Sequence, residues 1–202
     1  MFTGLIRELG TVESYNNNTL KVKATYSPNI GDSIAINGAC LTVVHKTSTS
    51  FSVEVSPETE AFINMKALSG KVHMEPAMAM GDRFEGHIVQ GHIDCLGTIS
   101  QISDNGNSTD FFINIPQEFH KFLVPKGSVT VDGVSLTINS LTDNGFRLTI
   151  IPHTIKETLF STYKLQSLVN IETDMFARYV HNILANQKNI KRDDLNRIAA
   201  IY

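Results

Sequence analysis

Short segments of alternating apolar and polar residues, separated by glycine, asparagine and proline, make up the first 175 residues of the chain. Such short strands with frequent turn residues are typical of an antiparallel β-barrel or β-sandwich. The segments 32–36 and 40–44 flank Asn37-Gly38. This pair favours a two-residue hairpin turn, because both of its positions readily adopt positive φ. Asp132-Gly133 predicts the same turn later in the chain, and closure into a barrel removes exposed sheet edges.

The chain contains an internal repeat. NGACLTVV, which starts at Asn37, matches DGVSLTIN, which starts at Asp132, at an offset of 95 residues. FSVEVSPETEAFIN from Phe51 matches FRLTIIPHTIKETL from Phe146 at the same offset. Two further matches, at offsets of 87 and 97, bracket these blocks: Gly4 with Gly91, and Glu75 with Glu172. Four matched blocks in the same order indicate a duplicated domain.

The repeat predicts the domain organisation. Residues 1–87 form an N-terminal barrel, residues 88–175 form a similar C-terminal barrel, and residues 176–202 form a C-terminal helix and tail. The predicted fold class is all-β, with two tandem Greek-key-like β-barrels followed by one α-helix.

The pattern changes to helical spacing after the second repeat. Asp174 is a suitable residue to cap the start of a helix. The apolar residues of that helix fall on one face: Phe176, Tyr179, Val180, Ile183 and Leu184. Such a face needs a partner. Packing on its own barrel and pairing with other subunits are equally compatible with the sequence, and we assign no role to the tail from Lys188.

Composition restricts the class of protein. Hydrophobic residues make up 42% of the chain and charged residues 18%, which favours a packed core over disorder. The net charge of −3 does not favour nucleic acid as the main partner. No apolar run reaches the roughly 18 residues that a membrane helix needs. The start of the chain also lacks a signal-peptide pattern, so we expect a cytoplasmic protein without a membrane partner.

The strand after each hairpin turn presents a polar face that recurs in both repeats. Leu41 and Val43 fall on one face of the first copy, and Cys40 and Thr42 fall on the other. In the second copy the corresponding polar residues are Ser135 and Thr137. A half-solvated barrel strand explains the polarity, but it does not explain the recurring threonine. We therefore favour a duplicated binding pocket.

A second recurring element follows the next strand. Pro57-Glu58-Thr59 matches Pro152-His153-Thr154. Proline ends regular strand pairing, so the residues after it can leave the sheet and face a ligand. Taken alone, this element indicates an ordinary turn. Together with the recurring threonine, it predicts a second wall for each pocket.

Metal and nucleotide sites are not indicated. The seven histidines show no metal-ligand spacing, and Cys40 and Cys95 have no ligand partners nearby in the sequence. The two cysteines do not suggest a disulfide scaffold either. Neither the dinucleotide fingerprint nor the Walker phosphate loop occurs. We expect no metal and no cofactor.

Seven motifs carry a family resemblance. MFTGLI, NGACLTVV, VSPET, GHIVQGHID, KGSVTVDGVSLT, IIPHT and VNIETD occur in this order from Met1 to Asp174. Together they resemble the riboflavin synthase family of the α-chain type. The resemblance implies six strands in each barrel, a number that the residue pattern alone does not provide.

The resemblance also implies a reaction. Members of this family convert two molecules of 6,7-dimethyl-8-ribityllumazine to riboflavin and 5-amino-6-ribitylamino-uracil, the final step of riboflavin biosynthesis. They use no metal or cofactor. They are homotrimers held by C-terminal helices, and the active site lies between the N-terminal barrel of one subunit and the C-terminal barrel of its neighbour. Association with lumazine synthase is a further partner that the resemblance suggests.

The resemblance assigns residues to two half-sites. The implied N-terminal half-site comprises Gly4, Leu5, Ile6, Cys40, Leu41, Thr42, Glu54, Val55, Ser56, Pro57, Glu58 and Thr59. The implied C-terminal half-site comprises Gly91, His92, Ile93, Lys126, Ser135, Leu136, Thr137, Ile150, Ile151, Pro152, His153, Thr154 and Ile155. The implied catalytic residues are Ser33, Cys40, His92, Lys126, Ser135, Thr137 and Asp174.

The roles of these residues stay open at this stage. His92 and Ser135 are candidates for proton transfer. Cys40 is either a nucleophile or a polar wall of the pocket. Two other functions compete with the synthase: a non-catalytic lumazine-binding protein of the same fold, and a flavin reductase. Both repeats keep the threonine and the proline element, which favours the enzyme, and no nicotinamide-binding segment follows the barrels.

Overall fold

The first repeat folds into a closed barrel in the computed structural model, which describes residues 1–187. Its strands are β1 (Glu8–Asn16), β2 (Thr19–Lys23), β3 (Ser33–Ile36), β4 (Ala39–Lys46), β5 (Ser50–Glu54) and β6 (Lys71–Pro76). They pair antiparallel in the order β1-β2-β5-β4-β3-β6. This order is a Greek key, so the predicted six-stranded barrel is confirmed for the first repeat.

The second repeat is a curled sheet of seven strands. They are β7 (Cys95–Asp104), β8 (Thr109–Asn114), β9 (Ser128–Val131), β10 (Val134–Thr137), β11 (Ser140–Thr142), β12 (Gly145–Ile150) and β13 (Leu168–Thr173). The order is β10-β9-β13-β7-β8-β12-β11. The two end strands are consecutive in the chain and are separated only by Ile138 and Asn139. Together they occupy the position of β4 in the first barrel.

The interruption between β10 and β11 falls at the place where β4 has a register shift, between Val43 and His45. Asn139 occupies this place in the second unit. Its N–H donates to Arg147 O at 2.9 Å, and its side-chain Oδ1 accepts from Thr149 N at 2.7 Å. The second unit is thus a curled sheet of seven strands, in which β10 and β11 replace one strand of the expected six-stranded barrel, while the all-β class with two similar units is confirmed.

Three α-helices complete the described part of the chain: α1 (Pro57–Phe62), α2 (Pro152–Glu157) and α3 (Met175–Gln187). The two proline elements thus open short helices, because proline fits the first helical position. The Ser56 hydroxyl accepts from Thr59 N at 3.1 Å and caps α1. Asp174 Oδ1 accepts from Phe176 N at 2.7 Å, which confirms the predicted cap of α3. Residues 188–202, including the tail from Lys188, lie outside the described residues.

Each barrel encloses its own apolar core. Leu41 and Val43 are buried, whereas Cys40 is half-buried and Thr42 is exposed, as the strand alternation predicts. In the second unit Ile138 is buried and Thr137 is exposed. Within residues 1–187, no helix is long and apolar enough to cross a membrane.

The two units meet at their hairpin turns. Asn37 and Gly38 have φ of 44° and 84°, and Asp132 and Gly133 have φ of 45° and 82°, which confirms both predicted turns. A Cβ on Gly38 would lie 2.7 Å from Gly133 N, so only glycine permits this approach. Next to this contact, His73 Nδ1 lies 2.8 Å from Asp132 O. The contact joins the last strand of one unit to the turn of the other.

The buried network at this junction predicts a pH dependence of stability. Burial raises the pKa of Asp132 to about 7, although bonds from Tyr163 Oη (2.5 Å) and Asn170 N (2.7 Å) oppose the shift. The uncharged carboxyl is thus favoured in the fold. The stability that this carboxyl contributes to the fold is fully present below about pH 4 and is lost as the pH rises through about 7. Burial lowers the pKa of the nearby His73 to about 4, which acts in the opposite sense.

Comparing the wild type with Asp132→Asn isolates the effect of the Asp132 carboxyl on the pH dependence of stability. We expect the free energy of unfolding of the wild type, minus that of the variant, to fall between pH 4 and pH 8, as measured by urea denaturation. A difference that stays constant or rises over this range would contradict the assignment.

Candidate functional site

The segment before each repeat's first strand is an arm that crosses between the two units. We define arm 1 as residues 1–7 and arm 2 as residues 86–94. The arms pair with one another, because Phe2 N donates to Val89 O at 2.8 Å and Val89 N donates to Phe2 O at 3.1 Å. They therefore lie side by side between the barrels.

A buried glutamate anchors each arm to its own unit. Glu75 on β6 accepts from Thr3 N at 2.8 Å and from Gly4 N at 3.0 Å. Glu172 on β13 accepts from the backbone N–H groups of residues 90, 91 and 92 at 2.8, 2.9 and 3.2 Å. Burial raises the pKa of both carboxyls, that of Glu172 to about 7. The repeat matched these glutamates, but it carried no signal for their anchoring role.

Each arm then packs against the other unit. Cys40 N donates to Gly91 O at 2.9 Å, and Ser135 N donates to Gly4 O at 2.7 Å. Both glycines have positive φ, at 80° and 79°. A Cβ on Gly91 would lie 2.6 Å from Cys40 Cβ, and one on Gly4 would lie 2.5 Å from Ser135 Cβ. Glycine is thus required twice at equivalent places.

This exchange corrects the grouping of the predicted half-sites. Ile6 of arm 1 packs on the core of the C-terminal unit, and Ile93 of arm 2 packs on the core of the N-terminal barrel. Gly4, Leu5 and Ile6 therefore belong with Ser135, and the segment 91–93 belongs with Cys40. The sequence assigned each arm to its own repeat. It contains no signal that the arms cross over.

The N-barrel pocket is a cavity of about 450 Å³ between arm 2 and the first barrel. Its lining consists of Ala39, Cys40, Glu58, Thr59, Phe62, Ile63, Gly91, His92 and Ile93. The volume suits a small-molecule ligand. The lining combines a thiol, a carboxylate and an imidazole with an apolar side. Six of its nine residues are predicted site residues.

The equivalent place on the C-terminal unit carries a different pair of groups. His87 Nδ1 lies 2.7 Å from Ser135 Oγ. Burial lowers the pKa of His87, which favours the neutral imidazole, and the nearby carboxylate of Asp174 opposes this shift. A neutral imidazole bonded to a hydroxyl can accept its proton. His87 was missed as a site residue because it has no counterpart in the matched blocks.

The other predicted residues, apart from Glu58, are not among those that line the N-barrel pocket. Ser33 pairs with Thr42 across β3 and β4, and Thr42 pairs with Glu54 across β4 and β5. Thr137 lies at the end of β10, and the exposed Lys126 lies within the tight turn before β9, with a φ of 66°. Ser56, Pro57 and Glu58 open α1, and Pro152, His153, Thr154 and Ile155 lie in α2, directly after Ile151.

Some predicted binding residues have side chains that point into the cores. Leu41, Val55 and Ile150 are at most 2% exposed and belong to the core clusters. Only their backbone can face a ligand. Leu136 is half-buried and packs against the edge of the second core. Within residues 1–187, no group of three histidine, cysteine or acidic side chains could hold a metal ion.

The contact between His87 and Ser135 leads to a testable expectation. His87→Phe keeps a ring of similar size but removes the bond to Ser135. We expect kcat to fall at least about fivefold to tenfold, because the lost hydrogen bond alone removes roughly 1 kcal/mol and the lost proton acceptor adds to this effect. Steady-state kinetics with 6,7-dimethyl-8-ribityllumazine, the substrate that the family resemblance implies, measures this. The exposed His45 provides a control, since His45→Ala should leave kcat unchanged. Equal losses in both variants would argue against a role for the pair.

Comparisons with known proteins bear on the function of these two sites. The model of the lumazine binding domain matches twice, at residues 3–77 and 90–174. The riboflavin synthase of Bacillus subtilis is 44% identical over 193 residues, which cover 91% of this chain and 90% of that protein. The riboflavin synthase of Photobacterium phosphoreum is 41% identical over 201 residues, which cover 93% and 91%.

The chain belongs to the riboflavin synthase family. Solved structures of LumP share the fold of this chain: its complex with riboflavin superposes with a TM-score of 0.76, and its complex with 6,7-dimethyl-8-(1'-D-ribityl) lumazine superposes with a TM-score of 0.73. Both matches cover 86% of this chain and 99% of LumP, at 21% identity. Family membership confirms the sequence-based recognition.

Proposed function

We propose that this chain is a riboflavin synthase, which transfers a four-carbon unit between two molecules of 6,7-dimethyl-8-ribityllumazine. The products are riboflavin and 5-amino-6-ribitylamino-uracil. The observation that carries this proposal is the doubled site: each unit presents a polar strand residue against the other unit's arm glycine, Cys40 with Gly91 and Ser135 with Gly4. A reaction between two identical substrates needs two related half-sites.

The two half-sites differ in chemistry, which suits a reaction in which the two lumazines play different parts. One lumazine must lose a proton from its 7-methyl group, and the other must accept a nucleophile. Ser135 and His87 form a hydroxyl–imidazole pair that can move a proton. Cys40 and His92 line the N-barrel pocket, where the Cys40 thiol, a water or a ribityl hydroxyl of the substrate serves as the nucleophile. Two lumazines contain the same atoms as the two products, so the reaction needs no outside oxidant or reductant.

The remaining expectations extend this proposal. The matched domains support repeat boundaries at 1–87 and 88–175. We propose a homotrimer in which the N-terminal barrel of one subunit faces the C-terminal barrel of the next. The exposed apolar face of α3 supports this, because each of its five apolar side chains is more than half exposed in the single chain. A cytoplasmic location and association with lumazine synthase are consistent with a biosynthetic enzyme.

A non-catalytic lumazine-binding module is the second candidate. The likeness in fold to LumP, whose complexes hold riboflavin and the lumazine, favours it. The higher identity to riboflavin synthases and the polar groups of both half-sites favour the enzyme.

Incubation with lumazine alone separates the two functions. We expect dialysed, chelator-treated protein to produce riboflavin, followed by its fluorescence, at the rate of untreated protein. Binding of lumazine without any riboflavin would support the module. Loss of turnover that returns with an added metal would contradict the expected cofactor independence.

A further inference from the structure

One guanidinium group joins helix α3 to arm 2. Arg178 Nη1 donates to Asp94 Oδ1 at 2.8 Å, and Arg178 Nη2 donates to Gln90 Oε1 at 2.8 Å. Nη2 also lies 3.9 Å from Glu172 Oε1. The side chain of Arg178 is 25% exposed and that of Asp94 is 11% exposed. Charge-assisted hydrogen bonds from a partly buried guanidinium fix the relative position of the groups that they join.

Asp94 is held from its other side as well. Its Oδ2 accepts from Thr173 N at 2.7 Å and from Thr173 Oγ1 at 2.6 Å. Both of its oxygens are therefore occupied, one by the sheet and one by the helix. Arm 2 is fixed before residue 91 through Gln90 and after residue 93 through Asp94.

Repeat one has no equivalent clamp. Arm 1 is held by Glu75, but at the offset of 87 residues Arg7 stands where Asp94 stands in arm 2. Strand β6 continues into an irregular segment, 77–86, whereas β13 continues into α3. Among the residues that the structure describes, only arm 2, which borders the N-barrel pocket, is tied to α3 by side-chain hydrogen bonds.

We infer that Arg178 is a positioning residue for the N-barrel pocket. It fixes Gln90 and Asp94 on either side of the segment 91–93, which forms one wall of that pocket. Since α3 also carries the exposed apolar face, docking of α3 on neighbouring copies and the shape of the pocket are linked through this one side chain. The inference rests on the proposed function only for the identity of the ligand.

The test compares Arg178→Ala and Arg178→Lys with the wild type in the full-length protein. We expect Arg178→Ala to weaken one class of riboflavin sites about tenfold in a fluorescence titration and to leave the other class unchanged. The backbone amides of residues 90–92 should exchange faster with deuterium. Lysine should recover part of the affinity, because an ammonium can bond one of the two acceptors. Light scattering should show unchanged assembly.

Two comparisons sharpen the result. The effects of Arg178→Ala and Asp94→Asn on riboflavin affinity should be non-additive in a double-mutant cycle, since the two side chains share one contact. Arg83→Ala, at a side chain that is 85% exposed, should change neither affinity nor exchange. The inference would be overturned if Arg178→Ala weakened both classes of riboflavin site equally or left riboflavin affinity unchanged. It would also be overturned if the assembly dissociated while deuterium exchange at residues 90–92 stayed unchanged. A wild type that binds riboflavin but makes none overturns the proposed function alone, because binding and exchange still test Arg178.

Discussion

Gly91→Ala is expected to reduce riboflavin formation about a hundredfold, in line with what a displacement of about 1 Å at a reacting site costs. Two effects combine at this position. Gly91 has a φ of 80°, where an added Cβ costs roughly 1–2 kcal/mol. That Cβ would also lie 2.6 Å from Cys40 Cβ and 2.9 Å from Cys40 N. The backbone of β4 cannot give way easily, so arm 2 must move and carry His92 away from the pocket.

Gly106 provides a matched control for the backbone effect. Its φ is 81°, and an added Cβ would meet nothing within 4 Å. Gly106→Ala should therefore lose only the roughly 1–2 kcal/mol of the backbone effect by urea unfolding and keep wild-type turnover. If the turnover of Gly91→Ala stayed within about twofold of that of Gly106→Ala, the positioning role of arm 2 would be contradicted.

Ile183→Glu is expected to dissociate the proposed trimer and to lower turnover at least about a hundredfold, because the second lumazine is then no longer held at high effective concentration. Ile183 is 56% exposed in the single chain, so the substitution should not unfold the barrels. A carboxylate at a buried helix contact is costly, since it loses its water without gaining a partner. Riboflavin binding to the N-barrel pocket should persist.

Ala185→Glu is the control for this prediction. Ala185 is exposed and lies two residues further along α3, on the opposite side of the helix. Ala185→Glu should therefore leave both turnover and the assembly, measured by light scattering, unchanged. A monomeric Ile183→Glu variant with full turnover would show that one chain contains a complete active site.

The sequence predicts the architecture well where the signal is local. The turns at Asn37-Gly38 and Asp132-Gly133, the alternation along β4 and the cap of α3 at Asp174 all depend on neighbouring residues. The repeat then extends these local features to a second unit. The interruption at Ile138 and Asn139 was missed, because the bond from Thr149 N to Asn139 Oδ1 is a tertiary contact that the pattern of the strand does not contain.

The site is predicted less completely for the same reason. The repeat identified Cys40 and Ser135 as equivalent, but it could not show that each faces the other repeat's arm. His87 carries no repeat signal at all, although its ring bonds to Ser135. Glu172 was matched only as part of a block. Its role as the anchor of arm 2 becomes visible only when three backbone amides converge on its carboxylate.

The stoichiometry of a single reaction mixture tests the central claim most directly. Purified protein is incubated with 6,7-dimethyl-8-ribityllumazine alone, and the substrate and both products are quantified over time by chromatography. The doubled site predicts that two lumazines disappear for each riboflavin formed, with one 5-amino-6-ribitylamino-uracil appearing beside it. Tight lumazine binding without either product, or riboflavin formed without an equal amount of the uracil, would contradict it.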